Sequence, residues 1–334
     1  MPIVDMSIMN YTDLLEDSFP AREPKGFHLY FAGSQNILVE KYLYKLGANR
    51  LGSQLLDRKG LQDWINARTE GICKGRLMID SGAYSAYTQG TELDVDEYIE
   101  YLNSIDDHTD VIVQVDTPPG NRFKDRTAED YESGPRLSWE NYLYMREKVL
   151  SVEKLVPVFH MGESYKWLEN MLEWKDSNGK HIPYIGIAPL HSSEANPNNR
   201  SSFIDRCFEI INRSSNPNVK THAFGMTKLS VLEAYPFTSA DSTSWILCAV
   251  NGSIMTPFGT VPVSEKSAHN PNHYLKLPEE GRKVIDDYVK SYGFGYGELR
   301  SQYAARICLN ILYLLDWAEN YKYTPAEVRR RRLF

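Results

Sequence analysis

Seven short, β-rich apolar runs punctuate the chain, most of them closed by a polar residue or a glycine, and stretches of helical spacing lie between many of them. The runs are Phe27 to Ala32 before Gly33, Arg76 to Ile79 before Asp80, Val111 to Val115 before Asp116, Leu155 to Phe159 before His160, Tyr184 to Ile187, Val219 to Phe224 before Gly225, and Phe237 to Ala240 before Asp241. An eighth is expected near Ser253 to Thr256. Runs this apolar suit strands covered on both faces. Amphipathic spacing over Val95 to Ser104, Trp139 to Leu150, Tyr165 to Trp174 and Phe203 to Asn212 supplies the crossover helices that parallel strands require. An open doubly wound sheet and a closed barrel both satisfy this alternation, and seven or eight strands favour the barrel.

The expected architecture is therefore α/β, a (β/α)8 TIM-type barrel with a C-terminal helical extension. The barrel and an N-terminal extension take residues 1–260, and a loop and helical region packed on the barrel takes 261–334. Within the second part, Thr260 to Leu277 is rich in Pro, Ser, Asn and His and reads as an extended loop or short hairpin, and Glu279 to Trp317 reads as helical. A length of 334 residues suits one large domain with additions.

Hydrophobic residues at 42% and charged residues at 24% fit a globular chain and exclude a disordered one. A formal charge of −7 argues against nonspecific coating of nucleic acid, although it leaves room for a local basic groove. Arg329 to Arg332 form the one conspicuous basic cluster and read as a solvated tail. The N-terminal segment is acidic rather than signal-like, and no apolar stretch approaches a membrane span, so a cytoplasmic protein with no membrane partner is expected. The four cysteines lie far apart without a CxxC pair, which fits reduced thiols in a core.

In a barrel the carboxyl ends of the strands converge on one face, so Asp80, Asp116, His160, Gly225 and Asp241 are expected to meet despite their separation in sequence. In Ile79-Asp80-Ser81-Gly82-Ala83-Tyr84-Ser85 a carboxylate precedes a tight turn and an aromatic ring, a combination that lets a planar ligand approach the backbone and stack. Asp116 stands before Pro118 and Pro119 as a rigid acceptor for a guanine-type base edge. Asp241 lies among Ser239, Ser242, Thr243 and Ser244, small donors suited to an ionised carboxylate, and such a carboxylate is a competent nucleophile toward an oxocarbenium-like carbon.

The strand ends DSGAYS, VDTPP, YIGIA, HAFGMT and SADSTSW resemble, in this order, the base pocket of the tRNA-guanine transglycosylase superfamily. The resemblance implies that Asp80 is the general acid/base, with Ser81 and Gly82 beside it, and that Tyr84 stacks on the base. It makes Asp116 the base-reading aspartate and puts His160 where the family usually has a glutamine. Gly186 becomes a backbone contact, Phe224 closes the other face next to Gly225, and Asp241 is the nucleophile. The implied enzyme is a pentosyltransferase that exchanges guanine for a 7-deazaguanine base through a covalent glycosyl-aspartate, without a cofactor. The family's CxCxxC zinc site is missing; Cys248, Cys308, His269 and His273 are the residues from which a different zinc site would have to be built. That departure resembles the DNA-modifying branch of the superfamily, known from phages, which makes DNA the expected partner and tRNA the alternative. Arg122, Lys124, Arg126, Lys228 and Lys266 are candidates for phosphate contacts. A glycoside hydrolase and a non-catalytic nucleic-acid-binding paralogue are the rival readings, and a homodimer or partner protein is compatible with all of them.

Overall fold

The computed structural model describes residues 21–34, 36–117, 127–189, 197–226 and 228–325, with the side chains of residues 84 and 197–200 outside that description. Nine strands pair in one sheet: β1 (His28–Phe31), β2 (Asn49–Ser53), β3 (Leu77–Asp80), β4 (Val111–Val113), β5 (Leu155–Val156), β6 (Val158–His160), β7 (Tyr184–Ala188), β8 (Lys220–Ala223) and β9 (Ser239–Ser242). Their spatial order is β5-β4-β3-β2-β1-β9-β8-β7-β6. The two ends of that order, β5 and β6, are consecutive pieces of one extended run that only Pro157 divides. The first piece pairs in parallel with β4, Leu155 against Ile112, and the second with β7, Val158 against Gly186. Proline has no N–H to give to a ladder, so the break falls there. Its carbonyl still accepts from the Gly186 N–H at 2.8 Å. Counted as runs the strands number eight, and the ring they form is that of a (β/α)8-type barrel.

A helix follows each run, as that fold requires: α1 (Ile37–Leu46), α2 (Arg58–Thr69), α3 (Ala83–Gln89) with α4 (Val95–Ser104), α5 (Ala128–Lys148), α6 (Tyr165–Glu173), α7 (Pro197–Arg213), α8 (Leu229–Leu232) and α9 (Ser244–Val250). Three more, α10 (Glu279–Ser291), α11 (Tyr296–Ser301) and α12 (Tyr303–Glu319), make up the helical C-terminal part. None of the helices among the described residues is long and apolar enough to cross a membrane.

One strand lies elsewhere than expected. Ser253–Thr256 is not in the barrel but forms β10, antiparallel to β11 (Gly259–Pro262), with Ser253 opposite Pro262 and Thr256 opposite Gly259. The remaining barrel strand is β2, with the polar sequence Asn49-Arg50-Leu51-Gly52-Ser53. It is tolerated in a buried sheet because Arg50 is neutralised: its Nε donates to both carboxylate oxygens of Glu40 on α1, at 3.1 and 3.0 Å, and both side chains are 1% exposed.

The chain packs as two compact units. One holds the described residues up to Arg50, with Gln62–Arg76 and Ser242–Tyr321. Its core is built on α12, whose Ile307, Cys308, Leu309, Ile311 and Leu312 are all fully buried, as suits a helix that is apolar all round. Asn310 on the same helix is also fully buried and satisfied: its Oδ1 accepts from the Met255 N–H at 2.7 Å and its Nδ2 donates to the Trp245 carbonyl at 2.9 Å. Gly26 closes this unit against the end of α12 with φ at 70°, and a Cβ placed there would stand 2.0 Å from the Ala318 carbonyl oxygen. Gly26→Ala should therefore cost about 1–3 kcal/mol, read as a lower urea midpoint.

The other unit holds Leu51–Leu61, Leu77–Asp241 and the described residues from Lys322. Met78, Ile79, Ile112, Phe159, Ile185 and Ile187 form its buried strand core, with Phe159 stacked on Phe203 of α7 at 5.7 Å between ring centroids. All the polar strand ends discussed next belong to this unit.

Candidate active site

Asp80 is the last residue of β3, and the chain turns sharply behind it. Gly82 takes φ of 80°, and its N–H points back to Asp80 Oδ2 at 3.3 Å. A Cβ at Gly82 would come 2.6 Å from Ser53 Oγ, so only glycine fits this turn. Ser81 is fully buried, and its Oγ accepts from the Ala83 N–H at 3.2 Å, which starts α3. The Tyr84 side chain lies outside the described residues, as do Pro118 and Pro119, Arg122, Lys124 and Arg126.

Asp116 follows β4 and meets His160, the last residue of β6: Nε2 to Oδ2 is 2.8 Å. On its other side His160 Nδ1 lies 2.9 Å from Glu163 Oε1, and the His160 backbone N–H donates to Glu163 Oε2 at 3.2 Å. Burial by itself disfavours an imidazolium here, but the charges and hydrogen bonds of Glu163 and Asp116 outweigh it and push the pKa of His160 up to about 10. The imidazole is therefore a cation at neutral pH, bracketed by two carboxylates.

Tyr98 of α4, 1% exposed, shares its one hydroxyl hydrogen between the Ile79 carbonyl at 3.2 Å and the Val113 carbonyl at 3.0 Å. It ties together the ends of the two strands that carry Asp80 and Asp116.

On the facing strands, Asp241 of β9 is 8% exposed. Its Oδ1 accepts from the Gly225 N–H at 2.7 Å, and His222 Nε2 lies 3.3 Å from the same oxygen. Gly225, with φ of 59°, takes the left-handed turn after β8 that aims its N–H at the carboxylate. Among the described residues Oδ2 accepts no hydrogen bond. His222 Nδ1 contacts Ser239 Oγ, which also bonds the Tyr184 hydroxyl. The small residues after Asp241 do not hold it: Ser242 and Ser244 bond each other at 2.7 Å. Phe224 sets its ring edge-on to His222 at 4.3 Å. Gly186 leaves room for that ring, since a Cβ there would lie 2.3 Å from Phe224 Cε2.

Asp80 feels the other two aspartates. Burial, reinforced by the charges of Asp116 and Asp241 and opposed by the Gly82 and Ser81 N–H groups, pushes the pKa of Asp80 up to about 7. A carboxyl group poised there both gives and takes a proton at neutral pH. Because the folded pKa lies above the ordinary carboxylate value, the stability this group contributes is full in acid and is lost as pH rises toward and through 7. Carboxyl 13C NMR should find the Asp80 midpoint near 7, and Asp116→Asn should lower it. A midpoint in the ordinary aspartate range would contradict the burial of Asp80 beside these charges.

The structure thus brings Asp80, Ser81, Gly82 and Asp116 with His160 together, and groups Asp241 with Gly225, Phe224 and Gly186. Glu163, Tyr98 and His222 were not anticipated. His222 was the most legible of them, two positions before Phe224 in the same strand-end segment.

The zinc candidates lie in the other unit. His273 accepts from the Leu275 N–H through Nδ1, and its Nε2 faces the Ser264 carbonyl at 3.2 Å. Cys308 is wholly buried on α12, and burial pushes the Cys248 thiol up to about 11. Among the described residues no group of three or more His, Cys, Asp or Glu is placed to hold a metal ion. Lys228 is exposed, and Lys266 donates to the Val250 carbonyl at 3.2 Å. No protein-family model matches the chain, and no curated protein is significantly similar to it in sequence.

Proposed function

We propose that the protein is a base-exchange transglycosylase that replaces guanine in DNA with a 7-deazaguanine derivative by way of a covalent glycosyl-aspartate on Asp241. The observation that carries this reading is the placement of Asp80, Asp116 and Asp241 at the ends of three separate strand runs of one barrel, where the charges of Asp116 and Asp241 add to burial in pushing the pKa of Asp80 up to about 7. Base exchange needs one group that shuttles a proton and one that attacks carbon, and these two carboxyl groups have environments suited to the two tasks.

In the first displacement an electron pair of Asp241 forms a bond to C1′ as the bond from C1′ to the guanine nitrogen breaks, and Asp80 gives its proton to the departing base. In the second, Asp80 takes the proton from the incoming base, whose nitrogen attacks C1′ and releases Asp241. Two inversions retain configuration. Asp116, oriented by the His160 cation, accepts from the N–H donors of the guanine edge. Phe224, whose ring packs over Gly186, walls the base.

The choice of DNA rests on sequence: the strand ends that resemble the superfamily are not followed by its cysteine-rich zinc site. A target base in a duplex has to leave the stack to reach such a pocket. The test is to incubate the protein with duplex DNA and with tRNA in parallel, quench in acid, and map adducts by mass spectrometry. A glycosyl adduct on Asp241 formed with DNA alone is the expected result. An adduct with tRNA alone would move the substrate to tRNA, and no adduct on Asp241 with either polymer would refute the reading.

A further inference from the structure

We propose that His222 is a positioning residue that grips Asp241 by Oδ1, leaving Oδ2 to attack the sugar, and that Ser239 and Tyr184 set the imidazole tautomer this requires. The proposal rests on the transglycosylase reading and adds three residues that reading does not use.

The three lie on adjacent strands. His222 of β8 is in register with Gly186 of β7 and with Ser239 of β9. Tyr184 stands two positions before Gly186 on β7. His222 is fully buried and Ser239 is 1% exposed. Ser239 Oγ bonds both the Tyr184 hydroxyl and His222 Nδ1, while His222 Nε2 faces Asp241 Oδ1 at 3.3 Å.

Proton counting gives the chain a direction. A bare Nε2 would set a lone pair against a carboxylate oxygen in a buried place, which is costly. Nε2 therefore carries the hydrogen and donates to Asp241, and Nδ1 accepts. Ser239 then donates to Nδ1, which leaves its oxygen to accept from the Tyr184 hydroxyl. Oδ1 ends with two donors, His222 Nε2–H and the Gly225 N–H at 2.7 Å. Ser239 is not itself a nucleophile in a Ser-His-Asp arrangement, because at 1% exposure its oxygen is closed to a substrate carbonyl.

The consequence falls unevenly on the two displacements. In the first, Oδ2 forms its bond to C1′ and the base departs with the electron pair and the proton from Asp80. In the second, the C1′–Oδ2 bond breaks and its pair returns to the carboxylate, whose charge is shared with Oδ1. Donors on Oδ1 stabilise that returning charge. Without His222 the carboxylate is a stronger base and a poorer leaving group, so the second step slows more than the first.

The experiment compares wild type, His222→Phe and His222→Gln as full-length proteins, with a guanine-containing DNA duplex and radiolabelled guanine as the incoming base. Exchange and the fraction of protein carrying the adduct are read from the same quenched samples. Phenylalanine keeps the ring volume without a donor, and glutamine keeps an N–H near the position of Nε2. His222→Phe is expected to slow exchange by on the order of 10²-fold while the adduct fraction rises, with His222→Gln recovering much of the loss. A fall in exchange and adduct together would overturn the proposal. Histidine 15N NMR on the wild type decides it where a variant does not fold. Nε2–H with bare Nδ1 is expected, and a hydrogen on Nδ1 alone would refute the proposal. The NMR result does not depend on exchange activity, so a wild type that forms no adduct defeats the transglycosylase reading separately.

Discussion

Asp241→Asn should abolish guanine exchange, by on the order of 10⁴-fold or more, while leaving the protein folded. The substitution is close to isosteric, and the amide oxygen still accepts from the Gly225 N–H and faces His222, so the hydrogen bonds around Oδ1 survive. What disappears is an anionic oxygen able to bond to carbon. The measurement is incorporation of radiolabelled guanine into polymer beside a urea melt of the same preparation. Undiminished exchange in a folded Asp241→Asn protein would end the assignment of the nucleophile. Loss of exchange with loss of structure would instead place Asp241 among the residues that hold the barrel.

The largest effect on stability is expected at Glu40. Glu40→Ala takes the Glu40 carboxylate away from the Arg50 guanidinium in a place where both side chains are 1% exposed. Arg50 keeps its bonds to the Phe31 carbonyl at 3.2 Å and the Ser34 carbonyl at 2.9 Å, which hold its geometry but do not neutralise its charge. Breaking a buried pair in this way costs about 3–5 kcal/mol. Removing both charges in Glu40→Leu/Arg50→Met should cost less than Glu40→Ala alone, because the double variant removes the buried guanidinium together with its carboxylate. Urea unfolding of the three proteins gives the answer directly. A double variant at least as unstable as Glu40→Ala would mean that the pair contributes net stability beyond its own desolvation.

The same ion pair explains where reading the sequence failed. The strands carrying Asp80, Asp116, His160 and Asp241 announce themselves because apolar runs buried on both faces end abruptly where the chain reaches the polar rim. β2 has no such run. Its burial depends on a partner ten residues earlier, and a hydropathy pattern holds no record of charge cancellation at a distance. Ser253 to Thr256 carries the opposite deception, since a buried antiparallel hairpin strand shows the same short apolar signature as a barrel strand. In the site, the residues at strand ends were legible, whereas those that condition them were not. Glu163 follows His160 by three positions, but nothing in the sequence says that the chain folds back there. Tyr98 reaches two strand ends from a helix, and its amphipathic spacing marks it only as a core residue.

Because one run of chain serves two neighbours, its residue count at Pro157 is set from both sides. Val156 must match Val113, and Val158 must match Gly186, with a single residue to change allegiance between them. Deleting or inserting one amino acid there would carry His160 off Asp116 and alter the closure of the ring in the same stroke. Length variation among natural or engineered relatives should therefore gather in the connections between strands and helices, and leave this junction at constant length.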